Sequence, residues 1–146
     1  MTYKPVVIAS DHAGFALKES LKQALGRWGV EVVDLGTHSE ASTDYPDYAH
    51  AVAEGIAGGK YRLGVLVCGT GLGMSMAANR HRGVRAAVCT DPYAARMTRT
   101  HNDANVLCLG SRVTGPGLAE DVLKSFLDAE FEGGRHAARV SKIDAT

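Results

Sequence analysis

The chain has 146 residues, and its 16 Lys and Arg residues are balanced by 16 Asp and Glu residues, which gives a formal net charge of +0. This balance argues against the broad electrostatic attraction that non-specific nucleic-acid binding requires. The hydrophobic fraction of 45% and the charged fraction of 22% argue against a disordered chain. We expect a single domain, residues 1–146, that buries its core without disulfide or metal support.

Short apolar runs alternate along the chain with stretches in which apolar residues recur at helical spacing. The apolar runs predict five strands, at residues 6–9, 30–35, 63–68, 84–89 and 105–109. The other stretches predict helices at residues 15–28, 46–56, 74–80, 92–97, 118–127 and 135–143. This alternation predicts an α/β sandwich of three layers, in which a five-stranded parallel sheet carries helices on both faces and a helix ends the chain.

The three cysteines, Cys68, Cys89 and Cys108, are odd in number and form no CxxC pair. They predict neither a disulfide framework nor a structural zinc site. No apolar stretch approaches the ~20 residues of a membrane span, and the first ten residues lack the pattern of a signal peptide. We therefore expect a cytoplasmic protein with no membrane partner.

Polar residues follow the predicted strands at the edge where parallel sheets bind their ligands. Asp11 and His12 follow the first strand. Cys68 ends the third strand, and Arg112 follows the fifth. His101 lies in the stretch just before the fifth strand. A functional site is expected among these residues.

The third strand leads into a glycine-rich turn, Gly69-Thr70-Gly71-Leu72-Gly73, ahead of the next helix. Glycines let the backbone approach an anionic oxygen, and free amides at a helix start point towards it. A tight turn without a ligand is the alternative. The turn has neither the GxGxxG pattern nor the P-loop lysine, so it gives little support to dinucleotide or ATP binding.

Cys68 has two interpretations. Most free cysteines are small buried hydrophobic residues, and this is how we interpret Cys89 and Cys108. Cys68 instead stands next to amide donors and a helix start, which favour a reactive thiolate. His101 is either a helix-capping residue or a general acid near neutral pH.

Two arginines on the last predicted helix, Arg135 and Arg139, are one turn apart and share a face. Such a pair either binds a phosphate or forms a solvated basic surface. No two histidines have the HExxH spacing, so we expect neither a bound metal nor metal catalysis. The histidines predicted to lie on the surface are His38, His50, His81 and His136.

Six segments, in their order along the chain, are similar to one family. The segments are Ser10-Asp11-His12-Ala13-Gly14, Thr43-Asp44-Tyr45-Pro46, Val67-Cys68-Gly69-Thr70-Gly71-Leu72-Gly73, His101-Asn102-Asp103, Leu109-Gly110-Ser111-Arg112 and Glu132-Gly133-Gly134-Arg135-His136. As a set they resemble the type B ribose-5-phosphate isomerases, whose family also contains galactose-6-phosphate isomerase subunits. The resemblance spans nearly the whole chain.

The resemblance implies a flavodoxin-like or Rossmann-like fold and reversible isomerisation of ribose 5-phosphate and ribulose 5-phosphate without a cofactor. It also implies a homodimer or dimer of dimers with active sites at the interface. By this resemblance, Cys68 is the base that moves a proton between C2 and C1 through an enediolate. Some members use a glutamate shortly after the glycine loop, but Met74 and Ser75 stand there in this chain.

Other roles follow from the same resemblance. Thr70 and the amides of residues 69–73 stabilise the developing oxyanion, and His101, assisted by Asp11, opens the sugar ring. The phosphate is held by His12, Arg112, Arg135 and Arg139. The sugar site is lined by Tyr45 and Asn102.

Other functions stay open at this point. Hexose 6-phosphates, such as allose or galactose 6-phosphate, would need a longer site than a pentose phosphate. A non-catalytic phosphosugar-binding module would be stabilised by its ligand without turning it over. A cysteine phosphatase is least favoured, because it would need an arginine closing the loop where Leu72, Gly73 and Met74 stand.

Overall fold

Apolar runs form the strands of the computed structural model, and amphipathic stretches form its helices. The structure describes residues 5–145, so residues 1–4 and 146 of the predicted domain lie outside the described residues. The strands are β1 (Val6–Ser10), β2 (Val32–Asp34), β3 (Gly64–Cys68), β4 (Ala86–Val88) and β5 (Val106–Gly110). The helices are α1 (Phe15–Arg27), α2 (Tyr45–Ala57), α3 (Leu72–Ala78), α4 (Pro92–Asn102), α5 (Pro116–Asp128) and α6 (Arg135–Ile143).

All the predicted strands and helices are confirmed within residues 5–145, and the shifts in their ends have local causes. The short strands β2 and β4 are the two edges of the sheet and pair on one side only. Helix α3 begins at Leu72, before the predicted residue 74, directly after Gly71, whose φ of 81° a glycine adopts without strain. Helix α4 continues through Asn102, so His101 lies in its last turn.

The sheet is parallel at every strand pair and has the order β2-β1-β3-β5-β4. The predicted three-layer α/β class is confirmed. Relative to the flavodoxin order 2-1-3-4-5, the last two strands are exchanged. This exchange places β5 beside β3, with Gly110 paired to Cys68. The residues that follow β5 therefore reach the turn that follows Cys68.

Two hydrophobic layers flank the sheet, because alternate strand residues point to opposite faces. On one face, Ile8, Val65 and Leu107 belong to a cluster that includes the apolar stripes of α1 and α5. On the other face, Val7 and Leu66 belong to a cluster with α2 and α3. Within residues 5–145, no helix combines the length and apolar character needed to span a bilayer.

A buried ion pair joins α1 to the end of β2. The Nζ of fully buried Lys18 donates to both carboxylate oxygens of Asp34, at 2.7 and 2.6 Å, and to the carbonyl of Thr37 at 2.7 Å. Lys22 donates to Asp34 as well, at 2.8 Å. Burial acts to raise the pKa of Asp34, but the hydrogen bonds from Lys18 and Lys22 outweigh it and hold this pKa below its ordinary value.

Substituting Asp34→Asn should destabilise the fold by about 3 kcal/mol at neutral pH, because it leaves the buried Lys18 ammonium with only the more distant and partly exposed Glu19 carboxylate, at 3.5 Å, as a counter-charge. A carboxyl whose pKa is lowered by folding stabilises the protein above its unfolded pKa, here near 3.8, and this stabilisation is lost as the pH falls through the folded pKa. The difference between wild type and Asp34→Asn in unfolding free energy should therefore shrink in acid. Urea denaturation at neutral and acid pH measures it.

A matched control is Glu120→Gln, which removes an ion pair between exposed side chains, Arg27 and Glu120. Its effect should stay below about 1 kcal/mol. If both substitutions lowered the free energy of unfolding equally, the buried ion pair of Lys18 and Asp34 would not stabilise the fold more than an exposed pair does.

Candidate active site

Cys68 is the last residue of the buried strand β3, and the residue is 5% exposed. The backbone amide of Gly71 donates to its Sγ at 3.1 Å. This contact requires the turn made by the positive φ of Gly71, which also packs against the backbone of Leu109, where a Cβ would lie 3.1 Å away. An amide directed at the sulfur stabilises negative charge there.

Thr70 is the exposed residue at the tip of the glycine turn. Its Oγ1 accepts a hydrogen bond from the amide of Leu72 at 3.2 Å, so its hydroxyl hydrogen can be donated to a ligand. The turn is held against the end of β5. The amide of Ser111 donates to the Cys68 carbonyl at 2.8 Å, and a Cβ on Gly110 would lie 2.6 Å from the Thr70 backbone.

Asp11 is 5% exposed and lies directly after β1, next to β3 in the sheet. Its Oδ1 accepts the amide of Gly14 at 3.0 Å, and its own amide donates to the Val67 carbonyl at 3.3 Å. The hydroxyl of Ser111 donates to the carbonyl of Ala13 at 2.8 Å and ties this segment to β5. Ser111 belongs to one of the six segments, but sequence reasoning did not assign it this positioning role.

His12, Tyr45 and Arg112 lie around the same edge of the sheet. The amide of Thr43 donates to the Nδ1 of His12 at 3.2 Å, so a neutral His12 ring carries its proton on Nε2. The Tyr45 ring covers Gly73, where a Cβ would lie 2.5 Å from a ring carbon. The Arg112 guanidinium lies against Gly69, where a Cβ would lie 3.3 Å from Nη1.

The structure does not bring His101 and Asn102 to this edge. Helix α4 returns from the carboxyl end of β4 and ends just before β5, and the Ala104 amide donates to the Thr98 carbonyl at 3.0 Å where α4 turns into β5. Because Gly110 pairs with Cys68 and a strand rises about 3.3 Å per residue, the start of β5 lies roughly 13 Å from Cys68. His101 therefore lies at the opposite edge of the sheet from Cys68.

Arg135 and Arg139 accompany His101 at that opposite edge. They lie one turn apart on α6, which confirms the helix that their spacing predicts; both are exposed, and α6 packs against α4. The predicted site residues thus form two groups in one chain. The carboxyl-edge group contains Asp11, His12, Tyr45, Cys68, residues 69–73 and Arg112, and the amino-edge group contains His101, Asn102, Arg135 and Arg139.

The prediction that His136 lies on the surface is wrong, since the residue is 7% exposed. Its ring stacks on that of His101 with centroids 4.3 Å apart, because α6 folds back over the end of α4. Burial lowers the pKa of His136, and His101 and Arg135 lower it further, so its ring is neutral at neutral pH. Residues 101 and 136 are far apart in sequence, so no local sequence pattern predicts the contact between their rings.

The other histidines predicted at the surface differ among themselves. His38 is exposed, as predicted. His50 and His81 are half-buried, and the Nδ1 of His50 lies 2.6 Å from the Nε2 of His81.

Cys89 and Cys108 are buried in the core, as predicted. Burial, with a smaller effect from Asp91, raises the pKa of Cys89 to about 11, and burial also raises the pKa of Cys108. Both thiols are therefore protonated at neutral pH.

The chain is similar to known sugar-phosphate isomerases over nearly its full length. The sequence model of the family described as Ribose/Galactose Isomerase matches residues 6–143. Ribose-5-phosphate isomerase B of Escherichia coli K12 is 50% identical over 142 residues, which cover 97% of this chain and 95% of the relative. A solved structure of a ribose 5-phosphate isomerase from Thermotoga maritima has a TM-score of 0.96 and 51% identity, and the match covers 99% of this chain and 100% of that one.

A further relative carries the name of a different substrate. D-erythrulose-4-phosphate isomerase of Pectobacterium atrosepticum is 42% identical over 139 residues, which cover 94% of this chain and 91% of the relative. Proteins similar to this chain along their whole length are thus named for sugar phosphates of different length.

Proposed function

This chain belongs to the Ribose/Galactose Isomerase family, and we propose that it interconverts ribose 5-phosphate and ribulose 5-phosphate with Cys68 as the base. The observation that carries the proposal is the hydrogen bond from the Gly71 amide to the Cys68 Sγ, at 3.1 Å. It directs an amide donor at the sulfur of a cysteine that ends a strand at the ligand-binding edge of the sheet. The proposed chemistry uses side chains and backbone amides alone.

In the proposed reaction, the Cys68 thiolate removes the proton from C2 of the open-chain aldose. The electrons of that C–H bond form the C1=C2 bond, and negative charge develops on the oxygen of C1. The Thr70 hydroxyl would donate a hydrogen bond to that oxygen, together with turn amides other than those of Gly71 and Leu72, which already donate to Cys68 and Thr70. The thiol then returns the proton to C1. The proton of the C2 hydroxyl passes to the negatively charged oxygen of C1, so that C2 becomes the ketone carbonyl, C1 becomes a hydroxymethyl group, and an enediolate connects aldose and ketose.

Ring opening and phosphate binding require the amino-edge group. His101 would donate a proton to the ring oxygen as the ring opens, with Asp11 near the sugar. The phosphate would be held by the Nε2 proton of His12 and by the guanidinium groups of Arg112, Arg135 and Arg139. Tyr45 and Asn102 would line the sugar.

One chain separates these two groups, so we infer that each active site combines the carboxyl-edge group of one copy with the amino-edge group of a second. Large apolar side chains are exposed beside the glycine turn, and this supports the inference that a second copy of the chain covers this surface. Leu72 is 53% exposed and Met76 is 70% exposed, one helical turn apart on α3. A homodimer, or a dimer of such dimers, provides this arrangement.

Substituting Cys68→Ala should abolish conversion of ribose 5-phosphate, because it removes the proposed base. Thr70→Ala should lower kcat by on the order of 10²-fold, more than it raises KM, because its hydroxyl acts on the charge that develops during the reaction. Steady-state rates of ribulose 5-phosphate formation measure both effects.

The matched control is Cys89→Ala, which removes a thiol buried in the core, 3% exposed, away from the turn. It should retain activity, and thermal melts should show that all three variants fold. Near wild-type activity of folded Cys68→Ala would remove the proposed base.

A mixing experiment tests whether active sites are shared. Cys68→Ala and His101→Asn should each be inactive alone. Random reassociation of the two should restore about a quarter of wild-type activity, because half of the dimers are mixed and each mixed dimer contains one site with both groups intact.

The control mixture combines Cys68→Ala with Thr70→Ala. Both residues belong to the carboxyl-edge group, so every site of a mixed dimer is defective and activity should not rise above that of the separate variants. If the first mixture also stays inactive although mixed dimers form, the two groups do not meet between chains.

The proposed substrate has a competitor of different chain length, because one relative is named for the phosphate of a four-carbon sugar. Assays at equal concentration should give the highest kcat/KM for ribose 5-phosphate among erythrulose 4-phosphate, ribose 5-phosphate, allose 6-phosphate and galactose 6-phosphate. A higher value for another sugar would reassign the substrate. Ligand-dependent stabilisation without turnover of any of them would indicate a phosphosugar-binding module instead.

A further inference from the structure

Three potential metal ligands meet at the amino-edge group. They are the Nε2 of His101, the Nε2 of His136 and the Oε1 of Glu132. The Glu132 oxygen lies 3.8 Å from the His101 nitrogen and 3.6 Å from the His136 nitrogen, and the ligand atoms of the three residues all lie within 4.8 Å of one another.

These separations are too long for hydrogen bonds, which need about 2.7–3.2 Å between nitrogen and oxygen. The two separations from the carboxylate oxygen are close to those around one bound ion. The two rings stack with 12° between their planes, so their nitrogen lone pairs do not yet point to one position. Rotation of the His101 ring out of the stack, at a side chain that is 39% exposed, would turn its Nε2 towards an ion held by His136 and Glu132. Zinc takes imidazole nitrogen at about 2.0–2.1 Å and carboxylate oxygen at about 2.0–2.2 Å, so neighbouring ligands of a tetrahedral site lie roughly 3.3 Å apart. A contraction of a few tenths of an ångström would bring Glu132 to that spacing from each histidine.

The backbone fixes two of the ligands relative to the third. The amide of Glu132 donates to the carbonyl of Thr100 at 3.0 Å, which holds the loop before α6 against the last turn of α4. The amide of His136 donates to the Gly133 carbonyl at 3.1 Å. The three ligands therefore share a frame built from α4 and the start of α6.

The cluster is also accessible. The His136 side chain is only 9% exposed and forms its floor. The side chains of His101 and Glu132 are 39% and 58% exposed, so an ion could enter from solvent on their side.

We propose that His101, Glu132 and His136 form a binding site for a divalent transition metal ion, and that the ion inhibits the enzyme by occupying the imidazole of His101. Two imidazoles and a carboxylate are a ligand set that zinc binds, with one position left for water. The inhibition rests on the proposed function, which uses the same imidazole as the acid for ring opening. The binding site itself does not depend on that function.

The surrounding charge sets the expected affinity. Arg135 and Arg139 act on His136 electrostatically and would repel a dication, while the Glu132 carboxylate would attract it. Metal binding in the micromolar range is therefore expected, weaker than that of a permanent structural zinc site.

The test is a zinc titration of the metal-free, full-length protein in competition with a chromophoric chelator. Wild type should bind one zinc ion per chain with a micromolar dissociation constant. Glu132→Gln and His136→Asn each remove a ligand and should weaken binding by more than the roughly tenfold that loss of an outer-shell partner costs. Glu132 is exposed, so its variant should fold even if the buried His136 does not tolerate replacement.

Three control variants locate the site. Glu120→Gln and His38→Asn change an exposed glutamate and an exposed histidine elsewhere, and both should bind zinc as wild type does. His81→Asn breaks the other histidine pair and should also leave binding unchanged. Weaker binding in His81→Asn with unchanged binding in Glu132→Gln, or no wild-type binding at millimolar zinc, would overturn the proposal.

Activity provides the second readout. Zinc should slow conversion of ribose 5-phosphate by wild type, a chelator should restore it, and Glu132→Gln should be less sensitive when each protein is compared with its own zinc-free rate. Zinc bound at the cluster without slowing an active enzyme would overturn the inhibition. If the metal-free protein shows no isomerase activity but loses zinc binding in Glu132→Gln, the metal site stands and the proposed function fails.

Discussion

The hydrogen bond from the Gly71 amide to the Cys68 sulfur depends on an unusually crowded junction of strands and turns. Strand β3 must end at Cys68, and Gly71 must turn through a positive φ against the backbone of Leu109. The exchange of β4 and β5 in the sheet order makes this possible, because it brings the end of β5 alongside. Backbone contacts between elements that are distant in sequence therefore fix the positions of the residues in the carboxyl-edge group, and their side chains extend from this rigid backbone.

The separation of the two groups follows from the parallel sheet itself. A helix that connects two parallel strands must carry the chain back from the carboxyl edge to the amino edge. Residues at the end of α4 consequently lie at the far edge from residues that end β3. The proposed reaction needs both groups at one substrate, and within this topology the inferred association of two chains is what would bring them together.

Much of this arrangement could be predicted from sequence, because it rests on local signals. Apolar runs predict the strands, and the Asp91 cap with Pro92 predicts the start of α4. The polar residues that follow the strand ends predict the carboxyl-edge group. The strand order could not be predicted, since pairing of β5 with β3 is a non-local choice that periodicity does not encode. The burial of His136 was missed for the same reason: a histidine in a polar helix has an exposed pattern until another helix covers it.

The backbone packed around the carboxyl-edge group has almost no room for added side-chain atoms. Added side-chain atoms at Gly14 or Gly110 would collide with rigid backbone of Val67 or Thr70. In the proposed arrangement of sites between two chains, sugars of different length would then be accommodated by changes at the Tyr45 ring, which overlies Gly73, or at the residues of the second copy. If residues of the second copy set the sugar length, substitutions that change substrate specificity would also change the proposed contact between the two chains.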